Sequence, residues 1–194
     1  MGLLRAFVAS ELPATLQDEI QTATAGLRGA LHDDLIRWVP SHNVHLTLKF
    51  LGDVSPSSVD LIRQMLVSEA TQFPPFDVKV EGLGCYPNPR RPRVLWIGLT
   101  APPELTALQR AVEAGAARLG YESEERGFSP HLTIGRVRQT TSSADIQKIR
   151  TALEQNPVGL VGSARVDAVH LFKSELRPEG SIYTRLFSAR LGES

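Results

Sequence analysis

Two stretches decide how this chain folds: Asn43-Val44-His45-Leu46-Thr47-Leu48-Lys49-Phe50-Leu51-Gly52 and Phe128-Ser129-Pro130-His131-Leu132-Thr133-Ile134-Gly135-Arg136. Both alternate polar and apolar residues, the period of a strand with one face on a core. A regular strand puts His45, Thr47 and Lys49 on one face and Leu46, Leu48 and Phe50 on the other. In the second stretch His131 and Thr133 oppose Leu132 and Ile134. Five His and 12 Thr in 194 residues give about 0.3 His-x-Thr triplets by chance, so one copy would carry little weight. Two copies, each centred on Leu, followed by an aliphatic residue and then by a helix-like stretch, read as a repeated unit.

Working outward, apolar or alternating runs at 3–9, 44–51, 76–83, 94–99, 131–137, 160–172 and 182–191 are strand candidates. Helix-like spacing fills 12–31, 57–72, 104–119 and 144–155. Helix-start residues open these stretches: Pro13, Ser55-Pro56, Pro102-Pro103 and Ser142-Ser143. The order repeats, with strand 3–9 matching 94–99, strand 44–51 matching 131–137 and strand 76–83 matching part of 160–172. The simplest explanation is an internal duplication. The expectation is an α/β (α+β) fold, one domain over 1–194 made of two pseudosymmetric lobes. Two antiparallel sheets, one motif each, would face a central cleft with helices outside. Residues 86–93, Tyr-Pro-Asn-Pro-Arg-Arg-Pro-Arg, would join the lobes, since such a run cannot sit in a central strand.

Composition narrows the function. With 21 Lys plus Arg against 21 Asp plus Glu the formal charge is zero, which argues against coating nucleic acid by charge alone; any phosphate chemistry must be local. The lone Cys85 excludes an internal disulfide and a Cys-rich zinc site, as in a reducing compartment. Residues 1–10 are interrupted by Arg5 and lack a secretory signal pattern, and no run approaches the roughly 20 apolar residues of a membrane span. A cytoplasmic protein without membrane attachment is expected. His42 and His45 would face opposite ways on a strand and so do not pair as metal ligands, and His32 and His170 have no partner motif. Gly82-Leu83-Gly84 lacks the third Gly of a dinucleotide loop, and there is no P-loop. No metal or cofactor is expected.

The paired motifs in this setting resemble the 2H phosphoesterase superfamily, and most closely the RNA 2',3'-cyclic phosphodiesterases, also called 2'-5' RNA ligases. The resemblance extends to Arg5-Ala6-Phe7-Val8-Ala9, Pro92-Arg93-Val94-Leu95-Trp96 and the segment 174–183. It implies a bilobal fold with a cleft, no metal or nucleotide cofactor, and His45 and His131 as the catalytic pair. It further implies Arg136 as a phosphate contact and Phe7 as an aromatic near the bound nucleotide.

Elementary chemistry agrees. Opening a cyclic phosphodiester with water needs a base behind the attacking oxygen and an acid at the leaving oxygen. Imidazoles with unperturbed pKa values near 6.5 supply both, and the Thr47 and Thr133 hydroxyls can donate to the nonbridging oxygens. A guanidinium fork at Arg136 suits phosphate, although regular parity turns it away from His131; a bulge or strand end at Gly135 would re-aim it, and otherwise it is a solvated arginine. Lys49 has the right parity to add positive potential, or is simply a long exposed lysine. Phe7 either lines the nucleotide or belongs to the core, and Tyr183 either lines the cleft or packs. Arg93, with Arg90 and Arg91, either holds RNA phosphates beyond the scissile one or forms a solvated loop.

The expected partners are RNA with 2',3'-cyclic phosphate ends or small cyclic nucleotides, acted on by a monomer. The reaction expected is metal-independent hydrolysis to a 2'-phosphate. 2'-5' RNA ligation or 2'-5' phosphodiester cleavage at the same site is an alternative, and a noncatalytic RNA-end phosphate-binding module is another.

Overall fold

A computed structural model of the chain describes residues 2–139, 142–177 and 180–192; of the family-like segment 174–183, positions 178 and 179 lie outside the described residues. The elements run β1 (Leu4–Glu11), α1 (Ala14–Ala23), α2 (Ala25–Ala30), β2 (Ile36–Trp38), β3 (His45–Val54), α3 (Val59–Ala70) and β4 (Phe76–Tyr86). They continue with β5 (Val94–Thr100), α4 (Pro103–Arg118), β6 (His131–Val137), α5 (Ser143–Gln155), β7 (Leu160–Val166), β8 (Ala168–Arg177) and β9 (Gly180–Arg190).

All pairings are antiparallel, in the order β7-β4-β5-β6-β3-β1-β8-β9, with β2 added to β6. The two sheets expected from the repeat are therefore continuous, joined where Leu46 of β3 pairs with Leu132 of β6. On one side of this seam lie β3-β1-β8-β9 and on the other β6-β5-β4-β7. β4 follows the first motif in the chain yet pairs with β5, and β8 follows the second motif yet pairs with β1. The reason is local. Residues 87–93 are a hairpin loop between β4 and β5, and strands joined by a short loop pair with each other. That Pro-rich run is thus a turn within one half of the sheet instead of a connector between lobes.

One face of the sheet carries the main core. Val8, Leu46, Val78, Val80, Leu95, Ile97, Leu132 and Leu171 meet Leu16, Ile20, Ile62, Leu66, Leu105, Leu108, Val112 and Ile149 of the helices. Each fully buried Leu or Ile contributes about 1.5–3 kcal/mol, which is why the apolar stripes of α1, α3, α4 and α5 stay on the sheet. The other face carries a small aromatic cluster of Phe7, Ala9 and Phe172 with Tyr183 packed on it.

Three sequence expectations changed. The helix over 12–31 is two helices, parted at buried Thr24, whose hydroxyl donates to the Ile20 carbonyl at 2.8 Å and competes with the backbone there. The run 160–172 is two strands in opposite halves of the sheet, β7 at its edge and β8 between β1 and β9, divided at Asp167. β2 was not anticipated; at three residues before Pro40 it is too short to show a period. α5 begins as its sequence suggests, with Ser142 and Asp145 forming a reciprocal capping box.

Candidate active site

β3 and β6 run antiparallel through the Leu46–Leu132 pair, so the flanking positions face each other crosswise: His45 toward Thr133 and Thr47 toward His131. Both leucines point into the helix-side core, so all four polar side chains turn to the opposite face. The histidine of each motif thus stands beside the threonine of the other.

The two imidazoles are oriented alike. His45 Nδ1 lies 2.7 Å from the Asn43 carbonyl oxygen and His131 Nδ1 lies 2.8 Å from that of Ser129. A carbonyl can only accept, so Nδ1 carries the proton and Nε2 is the free nitrogen of each neutral ring. The orienting residues are themselves held by strands. Asn43 is buried and donates from Nδ2 to the Ser181 carbonyl of β9 at 2.8 Å, while Ser129 Oγ is 2.7 Å from Tyr86 Oη of β4.

The surroundings differ. His45 stacks on Phe7 with ring centroids 4.8 Å apart and meets Tyr183 edge-on at 5.2 Å, with Phe172 at 6.3 Å. Burial pushes its pKa down to about 4, with a smaller downward push from the Arg136 cation; the hydrogen bond to Asn43 acts the other way. His131 meets one ring, Tyr86, edge-on at 5.0 Å, and Tyr86 leans on Trp96 at 5.2 Å. Trp96 lies over Gly84, where a Cβ would come within 2.4 Å of the indole.

A bulge resolves the parity of Arg136. β5 and β6 pair Trp96 with Thr133 but Leu95 with Gly135, so Ile134 is the extra residue and Val94 comes opposite Arg136. Arg136 thereby returns to the face of Thr133, and its effect on His45 places it beside the seam. The position must be glycine: a Cβ on Gly135 would meet Ile36 Cγ2 at 2.7 Å and Trp38 Cε3 at 3.1 Å.

β3 has a bulge at the matching place, and there the sequence expectation fails. Ala9 pairs with Thr47 but Val8 with Lys49, so Leu48 is the extra residue. Lys49 is turned into the helix side, where its ammonium pairs with Glu113 of α4 and donates to the Glu122 carbonyl, its side chain 4% exposed. It is not a cleft residue. Phe50, read as core, is flipped out opposite Phe7, 65% exposed with its ring 6.1 Å from that of Phe7.

Of the remaining candidates, Phe7 and Tyr183 line the site around His45. Arg93 precedes β5, its carbonyl accepts from the Val137 amide, and its side chain is exposed with no hydrogen bond or ion pair among the described residues. The Thr47, Thr133 and Arg136 side chains make no hydrogen bond or ion pair among the described residues. Among those residues there is also no group of three or more His, Cys, Asp or Glu able to hold a metal ion, and no helix long and apolar enough to cross a membrane.

Residues 12–177 match the 2'-5' RNA ligase superfamily. A protein of Methanothermobacter thermautotrophicus named RNA 2',3'-cyclic phosphodiesterase is 35% identical over 188 residues, 97% of this chain and 99% of the relative. A relative of the same name from Aquifex aeolicus is 30% identical, covering 99% of this chain and all of its own. The chain belongs to the 2'-5' RNA ligase superfamily. Among solved structures, a protein of Thermus thermophilus superposes with a TM-score of 0.81 at 27% identity over 98% of this chain and all of that one. E. coli LigT complexed with 3'-AMP superposes with a TM-score of 0.76, also at 27% identity, over 97% and 98% of the two chains.

Proposed function

We propose that this protein hydrolyses RNA 2',3'-cyclic phosphate ends to 2'-phosphates by general acid-base catalysis between His45 and His131, with no metal ion taking part. The observation that carries this reading is the crosswise placing of two His-x-Thr motifs on adjacent strands, each histidine with its Nδ1 held to a carbonyl and its Nε2 free. One imidazole takes a proton from water as it attacks phosphorus; the other protonates the departing O3'. Negative charge that builds on the nonbridging oxygens meets the Thr47 and Thr133 hydroxyls and the Arg136 fork, donors that no protein group occupies among the described residues. The names of the relatives support the substrate, and the complex of LigT with 3'-AMP supports a nucleotide ligand.

In this reading the chain is one domain grown from two related copies whose third strands are exchanged. It works as a monomer in the cytoplasm, a reducing compartment that suits a chain with the single Cys85. His45 is the acid and His131 the base in this reading, the assignment that the family resemblance implies and that the symmetry of the two motifs leaves open. That role requires the bound phosphate to raise the proton affinity of His45, because the substrate-free ring is neutral at pH 7.

The test is a short RNA ending in 2',3'-cyclic phosphate, incubated with chelator present, with the product end identified. A 2'-phosphate is expected. His45→Ala and His131→Ala should each lower turnover by about 10²–10⁴, and the Thr47→Ala and Thr133→Ala variants by less. Activity that disappears with chelator and returns with zinc or manganese would overturn the metal-free reading. A near-normal rate in either histidine variant would overturn the pairing.

A further inference from the structure

β6 holds Arg136 between two partners, Val94 of β5 on one side and Arg37 of β2 on the other. Residues paired across antiparallel strands share a face, with Cβ atoms about 4.5–5.5 Å apart. Ile36, next to Arg37, is fully buried in the helix-side core and Trp38 packs against that core, so Arg37 turns to the face that carries His45, Thr133 and Arg136. It is exposed, and its guanidinium has no hydrogen bond or ion pair among the described residues. Its strand is well anchored: Ile36 and Trp38 close over Gly135, and the Trp38 ring lies under Arg28 with the guanidinium carbon 4.6 Å from its centroid.

Two like charges directly opposite on neighbouring strands destabilise a sheet. Two guanidinium forks carried on adjacent strands, with no protein partner among the described residues, suit two anions held side by side. A free cyclic mononucleotide has one phosphate and would leave Arg37 unmatched. An RNA end presents a second phosphate one nucleotide away.

We propose that Arg37 binds the phosphate on the 5' side of the terminal nucleotide while Arg136 holds the terminal cyclic phosphate, so that the site selects oligonucleotide ends over free cyclic nucleotides. This rests on the phosphoesterase reading above and specifies its substrate. A chain with no net charge has no general attraction for RNA, which leaves such a local pair to supply it.

The experiment compares 2',3'-cyclic AMP with the dinucleotide ApA ending in a 2',3'-cyclic phosphate, using the wild type, Arg37→Ala and Arg37→Lys. The expected result is a wild-type preference in kcat/KM for the dinucleotide that falls about tenfold in Arg37→Ala, chiefly through KM, and is partly restored in Arg37→Lys. The salt dependence of the dinucleotide reaction should flatten by about 0.7 in log-log slope, the share of one phosphate on a single strand. Equilibrium titration with fluorescently labelled ApA carrying a 2'-phosphate, against 2'-AMP, reads the same preference without turnover. If the wild type opens neither cyclic phosphate, the catalytic reading fails while the titration still decides the role of Arg37. An unaltered preference in Arg37→Ala, or an equal loss on both ligands, overturns the proposal.

Discussion

His45 and Arg136 belong to opposite halves of the sheet, and the guanidinium adds a small push to the burial that keeps the imidazole neutral. The site is thus electrostatically asymmetric although its motifs are alike. At the position where β6 carries Arg136 past its bulge, β3 carries Phe50.

Stability should depend on pH through His45. Its folded pKa, about 4, lies below the unfolded value near 6.5, so between these values the unfolded chain holds a proton that the folded one refuses. Stability contributed by this group is complete above pH 6.5 and is lost as pH falls toward 4, in an amount of about 1–3 kcal/mol. Urea unfolding across this window should show that loss in the wild type and a flatter profile in His45→Gln. Identical slopes would place the titration elsewhere.

Binding should relieve part of the depression. A phosphate held beside Arg136 cancels its push on His45 and favours the imidazolium. Ring-proton NMR is expected to show the His45 pKa rising by a unit or more when 2'-AMP is added. An activated aryl phosphodiester, whose leaving group needs no proton, should largely rescue His45→Ala and not His131→Ala. The opposite pattern of rescue would exchange acid and base.

Lys49 is a structural residue, and its variants should behave as such. Lys49→Met leaves Glu113 without its partner in a site where the carboxylate side chain is 16% exposed. A loss of about 3–5 kcal/mol is expected by urea denaturation, with partial recovery on adding Glu113→Leu. A phosphate-binding lysine would instead leave the unfolding midpoint in place and raise KM.

Gly135 couples the bulge to β2. Gly135→Val forces atoms against Ile36 and Trp38, at an expected cost of about 1–3 kcal/mol, and displaces the turn that aims Arg136. Its turnover should fall about as far as that of Arg136→Ala. A stable variant with full turnover would show that the bulge does not position the arginine.

The strand character of 45–51 and 131–137, the helices that follow them, and the grouping of His45, Thr47, His131 and Thr133 on a polar face were legible because alternation needs only neighbouring residues. Phe7 and Tyr183 were recognisable as candidates, although their place around His45 depends on β1 and β9 lying on the same half as β3. Arg37 left no signal, because three residues cannot display a period and their meaning comes from the strand they pair with.

The order of residues fixes the list of parts: two histidine-threonine strands, apolar stripes that bury one face, and a charge balance that confines phosphate recognition to a local site. How the parts point is settled by long-range packing. Parity along a strand holds until a bulge resets it, and each bulge is defined by the strand opposite. Leu48 is the extra residue in β3 because Val8 and Ala9 pair around it, and α4 holds the shifted chain through Gln109 to the Leu48 carbonyl and Glu113 to Lys49. Ile134 is the extra residue in β6, with Gly135 lying under Ile36 and Trp38 of β2. These contacts join residues far apart in the chain, so the inward turn of Lys49 and the outward turn of Phe50 and Arg136 exist only once the sheet has closed on its helices.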